Sequence, residues 1–195
     1  FEVWNTIASS FDATRNHAWD HVTAFLDGLP EGRVLDVMCG NGRHLRPGMV
    51  GLDWSAGLVA AAASRGAVAR GDATRLPFQD GSFQAAIYVA GLHGIETRQG
   101  RLRSLQELRR VVDGPAQVTV WSRHAPRFQD KGLPPGAADL VIPWRRDGMD
   151  VQRFYHLYDE PTLAADCEAA GWTVRSIAGV AQAADRPDNL VATLD

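Results

Sequence analysis

Three aspartates stand behind short apolar runs: Asp36 in "RVLDVMCGNGRHL", Asp53 in "VGLDWS" and Asp72 in "ARGDATRLPF". Asp36 precedes a loop made of Cys39, Gly40, Asn41 and Gly42, in which the glycines let backbone N–H groups come close to a bound molecule. A carboxylate ending the second strand, Asp53, suits the paired hydroxyls of a ribose. Trp54 follows and can pack on the sugar or the base. Asp72, with the amide of Ala73, can read the edge of an adenine. For the glycine loop alone, an ordinary strand-to-helix turn that binds nothing is a fair alternative. Three strand-end carboxylates around one such loop argue for an adenosine-containing ligand.

The loop chemistry narrows the choice. A phosphate-gripping loop closes on Gly-Lys-Ser/Thr, and neither Lys nor Ser/Thr follows these glycines. A dinucleotide loop needs a third glycine where Leu45 stands, and its acidic partner comes later than Asp53. The loop type that remains, with an acidic residue ahead of the glycines, is that of S-adenosylmethionine sites.

The elements that must carry these residues follow from periodicity. Strands are expected at Val34–Val37, Met49–Leu52, Ala67–Ala69, Phe83–Ala90, Gln117–Trp121, Val174–Ala178 and Leu190–Leu194, the last two joined by a turn at Arg186-Pro187-Asp188. Helices are expected at Ala18–Leu29, Gly57–Ser64 and Gly100–Val112, where Leu102, Leu105 and Leu108 keep helical spacing. This alternation predicts an α/β fold, a doubly wound Rossmann-like seven-stranded sheet, mostly parallel with a reversed last strand. Strand four carries Val89 near its end and brings His93 to the same crevice, since ligands of open α/β sheets bind at the carboxyl ends of the strands. The chain reads as a single domain, 1–195, with an N-terminal helical segment (1–30). The Pro-rich segment 122–151 reads as an irregular substrate-side loop.

Composition sets limits. The chain has 195 residues and a net charge of −3, which argues against indiscriminate adhesion to nucleic acid. Lys131 is the only lysine, so the positive charge is almost wholly arginine, the better fork for phosphate and carboxylate. Cys39 and Cys167 form neither a metal-ligand spacing nor a disulfide framework, and a reducing, cytoplasmic setting with no bound metal is expected. No apolar run approaches a membrane span. The chain opens on Phe1, so a start residue is expected to precede it.

"VLDVMCGNG", "VGLDWS", "GDATRLPF", "FQAAIYV" and "LQELRRVV…VTVWS" resemble the successive motifs of class I S-adenosylmethionine-dependent methyltransferases, from Val34 to Trp121. Two positions depart from that pattern. Met38 stands where glycine or alanine is usual, and Gln84 where aspartate is common. Met38 is expected to alter cofactor affinity rather than abolish it. The flanking blocks "IASSFDATRNHAWDHVTAFLDGLPEG", "LVIPWRRDG" and "VQRFYHLYDEPTLAADCEAAGW", with "AGLHGI", resemble the tRNA wobble-uridine carboxyl methyltransferases. That resemblance implies esterification of the carboxymethyl group on C5 of uridine 34, S-adenosyl-L-methionine as cofactor, tRNA as substrate, and neither membrane nor DNA as a partner.

The residue chemistry is compatible. A carboxylate is already a nucleophile at neutral pH, so no general base is required. C5 methylation of a pyrimidine would need a thiol facing the substrate, and neither cysteine is so placed. In-line placement and exclusion of water are what remains to be supplied. Arg15 is the first candidate anchor for the carboxylate and Arg153 the second. His93 is expected to face the methyl group, and Tyr155 and His156 to contact the flipped uracil. The plainer alternatives are that Arg15 caps the N-terminal helix or pairs with Asp12, and that His156 is a satisfied structural histidine.

Two rival functions share part of the pattern: a small-molecule methyltransferase of the quinone or natural-product type, and a non-catalytic cofactor-binding scaffold subunit. The family resemblance also implies a small zinc-ribbon activator protein forming a heterodimer. Ala67–Ala69, short and expected at the sheet's edge, with Val68 beside unpaired backbone groups, is the expected docking strand.

Overall fold

The computed structural model describes residues 2–129, 137–181 and 188–195. In chain order the elements are α1 (Glu2–Asp12), α2 (Asp20–Asp27), β1 (Val34–Val37), β2 (Val50–Asp53), α3 (Ala56–Ala62), β3 (Ala67–Arg70), β4 (Ala85–Val89), a 3-10 turn (Leu92–Gly94), α4 (Arg98–Val111) and β5 (Ala116–Trp121). Then come α5 (Pro126–Gln129), β6 (Asp139–Arg146), β7 (Met149–His156), α6 (Glu160–Ala169), β8 (Val174–Val180) and β9 (Asn189–Leu194).

Seven strands form one sheet in the order β3-β2-β1-β4-β5-β9-β8. β1 runs parallel to both neighbours, with Leu35 opposite Val50 and Ala86. β9 is antiparallel to β5 and to β8, so it alone is reversed. Every residue of β1 and β4 is buried, as expected of parallel strands covered on both faces. On one face Leu35, Val37 and Tyr88 pack with Leu105, Leu108 and Trp172. On the other, Val34, Ile87 and Val89 pack with Val22 of α2. No described helix is long and apolar enough to cross a membrane.

Helix starts follow their caps. Ser55 accepts from the Leu58 N–H to open α3, and Thr97 from the Gly100 N–H to open α4. The helix expected from Ala18 is shorter, Asp20–Asp27, and a separate helix α1 precedes it. Gly57 lets α1 lie close on α3, since a Cβ there would be 2.7 Å from the Ala8 Cβ. The turn expected at Arg186-Pro187-Asp188 lies, apart from Asp188, outside the described residues.

The irregular loop expected over 122–151 is the main correction. Its second half forms the hairpin β6–β7, a separate two-stranded sheet closed by Asp147 and Gly148, both at positive φ (52° and 76°). That is the geometry an Asp-Gly hairpin turn demands. Pro143 is tolerated because each strand pairs on one side only. Residues that pair across the hairpin share a face. One face carries Ile142, Trp144, Arg146, Arg153 and Tyr155; the other carries Val141, Arg145, Asp150 and His156. The first face meets α1: the Trp144 Nε1–H donates to Ser10 Oγ at 2.8 Å, and the Phe11 and Trp144 rings lie 6.0 Å apart. Hairpin and α1 together roof the carboxyl ends of β1, β4 and β5.

Candidate active site

Beneath that roof lies a cavity of about 580 Å³. One end is built on the glycine loop. Gly40, at φ 58°, donates its N–H to Asp53 Oδ2 at 2.9 Å, and the Ser55 N–H meets Asp53 Oδ1 at 2.9 Å. A carboxylate has about four acceptor positions, so the paired hydroxyls of a ribose can still bond to Asp53. Burial raises its pKa against the pull of these backbone donors. Trp54, Leu58 and Val89 complete this end.

Asp36 is 1% exposed, and its Oδ2 has no hydrogen-bond partner among the described residues. Burial drives its pKa well above the ordinary carboxylate range, opposed by Arg43 and reinforced by Asp53. Such a group calls for a cation. Arg43 also lines the cavity, stacked over Trp19 at 4.5 Å and with no carboxylate within salt-bridge distance among the described residues. Burial and the nearby Arg15 lower its pKa to about 10. An orphan carboxylate and an unpaired guanidinium on one wall match the ammonium and carboxylate of an amino-acid zwitterion. The residues present therefore fit S-adenosylmethionine, with Asp53 toward the ribose and Asp36 and Arg43 toward the methionyl end. Asn41 locks the roof onto the loop, donating to Asp12 Oδ1 at 2.6 Å and to the Arg15 carbonyl at 2.9 Å. Met38 adopts φ 53°, which costs a non-glycine residue roughly 1–2 kcal/mol. Its sulfur accepts from the Tyr88 hydroxyl at 3.1 Å.

The other end is aromatic and basic. Tyr155 and Trp121 have ring centroids 4.1 Å apart, and His93 stacks on Trp121 at 4.9 Å. His93 is fully buried, and its Nδ1 accepts the Trp121 backbone N–H at 3.1 Å. Burial, with Arg127 and His156 adding to it, lowers its pKa to about 3. The ring is therefore neutral and carries its proton on Nε2, which has no hydrogen-bond partner among the described residues. It is a hydrogen-bond donor, not a base. Arg15 and Arg127 line the same end. Arg15 makes only local contacts with Thr14 and stacks over Phe11 at 4.7 Å; the pairing with Asp12 does not form, since Asp12 engages Asn41 and Arg65. Burial pushes the Cys39 thiol far up and the Cys167 thiol up to about 12, so neither is a ready nucleophile.

Five expected residues lie elsewhere. Gly42 does not line the cavity; a Cβ there would sit 2.8 Å from Leu45 Cδ1 and 3.0 Å from the Ala62 Cβ, so this glycine serves close packing of the loop on α3. Asp72 turns its Oδ1 onto the Thr74 N–H and hydroxyl, both at 2.8 Å, and Ala73 is buried in the core. Arg153 stands behind the cavity wall, donating to the Tyr155 hydroxyl at 2.7 Å. His156 is on the hairpin's other face, 2.6 Å from Asp139, which is the strand alternation at work. Arg43, Trp121 and Arg127 were not anticipated. Arg43 directly follows the glycines and Trp121 ends β5, so both positions were legible. Arg127 sits in the segment read as irregular.

Residues 34–114 match a family model described as "Methyltransferase domain". A putative methyltransferase of Encephalitozoon cuniculi is 38% identical over 84% of this chain and 82% of its own length. The tRNA (carboxymethyluridine(34)-5-O)-methyltransferase of Schizosaccharomyces pombe is 28% identical over 89% of this chain and 88% of its own. A mouse relative of the same activity name, 37% identical over 62% of this chain, is much longer, the match covering 19% of it. A solved Haloferax volcanii complex, of the Trm112 methyltransferase activator with a putative methyltransferase, superimposes with a TM-score of 0.73 at 15% identity over 99% of this chain and 95% of that one. The chain belongs to the class I S-adenosylmethionine-dependent methyltransferases. Within that class it falls among relatives named as tRNA carboxymethyluridine methyltransferases, and it is an S-adenosylmethionine-dependent methyltransferase.

The burial of His93 carries a prediction about its protonation. Nitrogen NMR of the imidazole is expected to show a neutral, Nε2-protonated ring from pH 8 down to pH 5, because a pKa of about 3 leaves it uncharged throughout. A titration near the ordinary histidine value of about 6.5 would contradict it.

Proposed function

We propose that this protein esterifies the carboxymethyl group, or a related carboxyl-bearing C5 substituent, of wobble uridine 34 in tRNA. The observation that carries the proposal is the basic, aromatic end of the cavity: Arg15 and Arg127 beside Tyr155, Trp121 and the buried Nε2–H of His93. A uracil fits against the Trp121–Tyr155 wall. Its carboxylate fits the arginine forks, and His93 adds one more donor. When bound, S-adenosylmethionine supplies an electrophilic methyl on a sulfonium. A carboxylate held by Arg15 and Arg127 would already be the nucleophile for that methyl, so the chain's own residues would have no proton to remove. A neutral His93 and buried, protonated thiols suit such a reaction, which needs neither base nor covalent nucleophile.

A small-molecule acceptor is the second reading, and one observation favours it: α1 and the β6–β7 hairpin roof the crevice, as the cap of such enzymes does. A transfer assay separates the two. Ester formation is expected on tRNA bearing carboxymethyluridine, not on free quinones. Arg15→Ala is expected to reduce that transfer about 10- to 100-fold, the worth of one charge-assisted bond, while S-adenosylhomocysteine binds within a few-fold of wild type. Transfer at the wild-type rate would remove Arg15 from the substrate side. A loss of S-adenosylhomocysteine binding would assign it to the cofactor.

The proposal includes a small zinc-ribbon activator docked along β3. That strand is the sheet's free edge, with Val68 half-buried beside unpaired backbone groups, and the Haloferax neighbour was solved with the Trm112 methyltransferase activator. Mixed with the organism's own zinc-ribbon protein, the chain is expected to give one shared size-exclusion peak; two separate peaks count against the docking.

A further inference from the structure

We propose that the cavity-side face of the β6–β7 hairpin, ending at Arg146, grips the backbone phosphates of a single-stranded RNA loop. The proposal rests on the tRNA reading above and adds to it the surface that holds the RNA outside the reacting nucleotide.

The first observation is how arginines are paired. Away from the cavity many are tied to carboxylates: Arg46 to Asp27 at 2.6 Å, Arg98 to Asp166 at 2.8 Å, Arg110 to Glu107 at 2.7 Å. Along the cavity wall and just behind it they lie on aromatic rings instead. Arg15 is over Phe11 at 4.7 Å, Arg127 over Trp121 at 4.4 Å, and Arg153 and Arg146 are over Trp144 at 4.7 and 5.6 Å. Among the described residues, the one carboxylate within salt-bridge distance of these four is Asp188, 3.9 Å from Arg127. The four are near enough for Arg153, Arg146 and Arg127 all to disfavour the charge on Arg15. Like charges gathered without carboxylates destabilise the folded chain. A ligand that brings several negative charges and planar groups relieves that repulsion and stacks on the rings at the same time. Single-stranded RNA has this chemistry, with phosphates for the guanidiniums and unstacked bases for the aromatic faces.

The second observation is the hairpin's alternation. Arg145 and Arg146 are neighbours, both exposed, but they point to opposite faces. Arg145 faces away from the cavity and pairs with Asp150 at 3.2 Å. Arg146 shares the face of Trp144, whose indole is bonded to α1, and is near enough to Arg15 on the cavity wall to disfavour its charge. The overall charge of −3 conceals this local positive cluster.

The test measures fluorescence anisotropy of an anticodon stem-loop RNA with unmodified uridine at the wobble position, titrated with the isolated chain between about 50 and 200 mM salt. Arg146→Gln is expected to weaken binding several-fold and to flatten the log–log salt slope by about 0.7, the contribution of one phosphate on a single strand. Arg145→Gln is expected to behave as wild type in both. Equal S-adenosylhomocysteine binding by both variants shows that they are folded. Three results would overturn the proposal: an Arg146→Gln slope equal to wild type, no RNA binding by the isolated chain at low salt, or equal affinity for the loop and a blunt duplex. Because the RNA carries no carboxymethyl group, an error about the methylated substituent leaves this measurement untouched.

Discussion

The site hangs on one buried carboxylate. Asp53 ends β2 and accepts the Gly40 N–H with one oxygen and the Ser55 N–H with the other. These two bonds tie the glycine loop after β1 to the start of α3, and they fix the loop before any ligand arrives. Bonds from backbone N–H to an ionised acceptor are roughly twice as strong as neutral ones, and here they offset part of the cost of burying the charge. The loop's shape in turn places Asn41, whose side chain clamps the end of α1 through Asp12 and the Arg15 carbonyl. Arg15 and the roof above the cavity are thus positioned from Asp53 through the Gly40 bond and the two Asn41 bonds.

The cavity has separated charges waiting to be matched. Among the described residues, Asp36 lacks a partner for one oxygen and Arg43 lacks a carboxylate, and the basic far end gathers Arg15 and Arg127 around neutral rings. A zwitterionic cofactor answers the first two, and the proposed carboxylate acceptor would answer the third. His93 contributes a fixed N–H because the Trp121 backbone occupies its other nitrogen. Groups held this way need little reorganisation when charge moves, the condition under which polar sites accelerate reactions most. Met38 is the local departure. Its strained backbone fills space beside Gly91, where an added Cβ would lie 2.7 Å from the Met38 Cβ.

The sheet was legible because its strands are short apolar runs separated by clear turn and helix signals, and the strand-end carboxylates Asp36 and Asp53 stand where a parallel sheet opens. Asp72 stands outside the cavity lining because a strand-end aspartate followed by Ala73-Thr74 can bond within its own loop, and a side chain's choice between loop and crevice leaves no mark in spacing. The hairpin was missed for a different reason. The prolines of 122–151 hid an Asp147-Gly148 turn flanked by alternating residues, a signal that was present in the sequence. With the hairpin unrecognised, the opposed faces of Tyr155 and His156 could not be told apart, nor could the stacking of Arg153 and Arg146 on Trp144.

The most direct measurement of the functional assignment is mass spectrometry of tRNA nucleosides from cells lacking the gene. Wobble uridines are expected to lose their methyl ester and accumulate the free carboxylic acid, with other tRNA methylations unchanged. If every wobble-uridine ester persists at its normal level, the substrate assigned to this site is wrong.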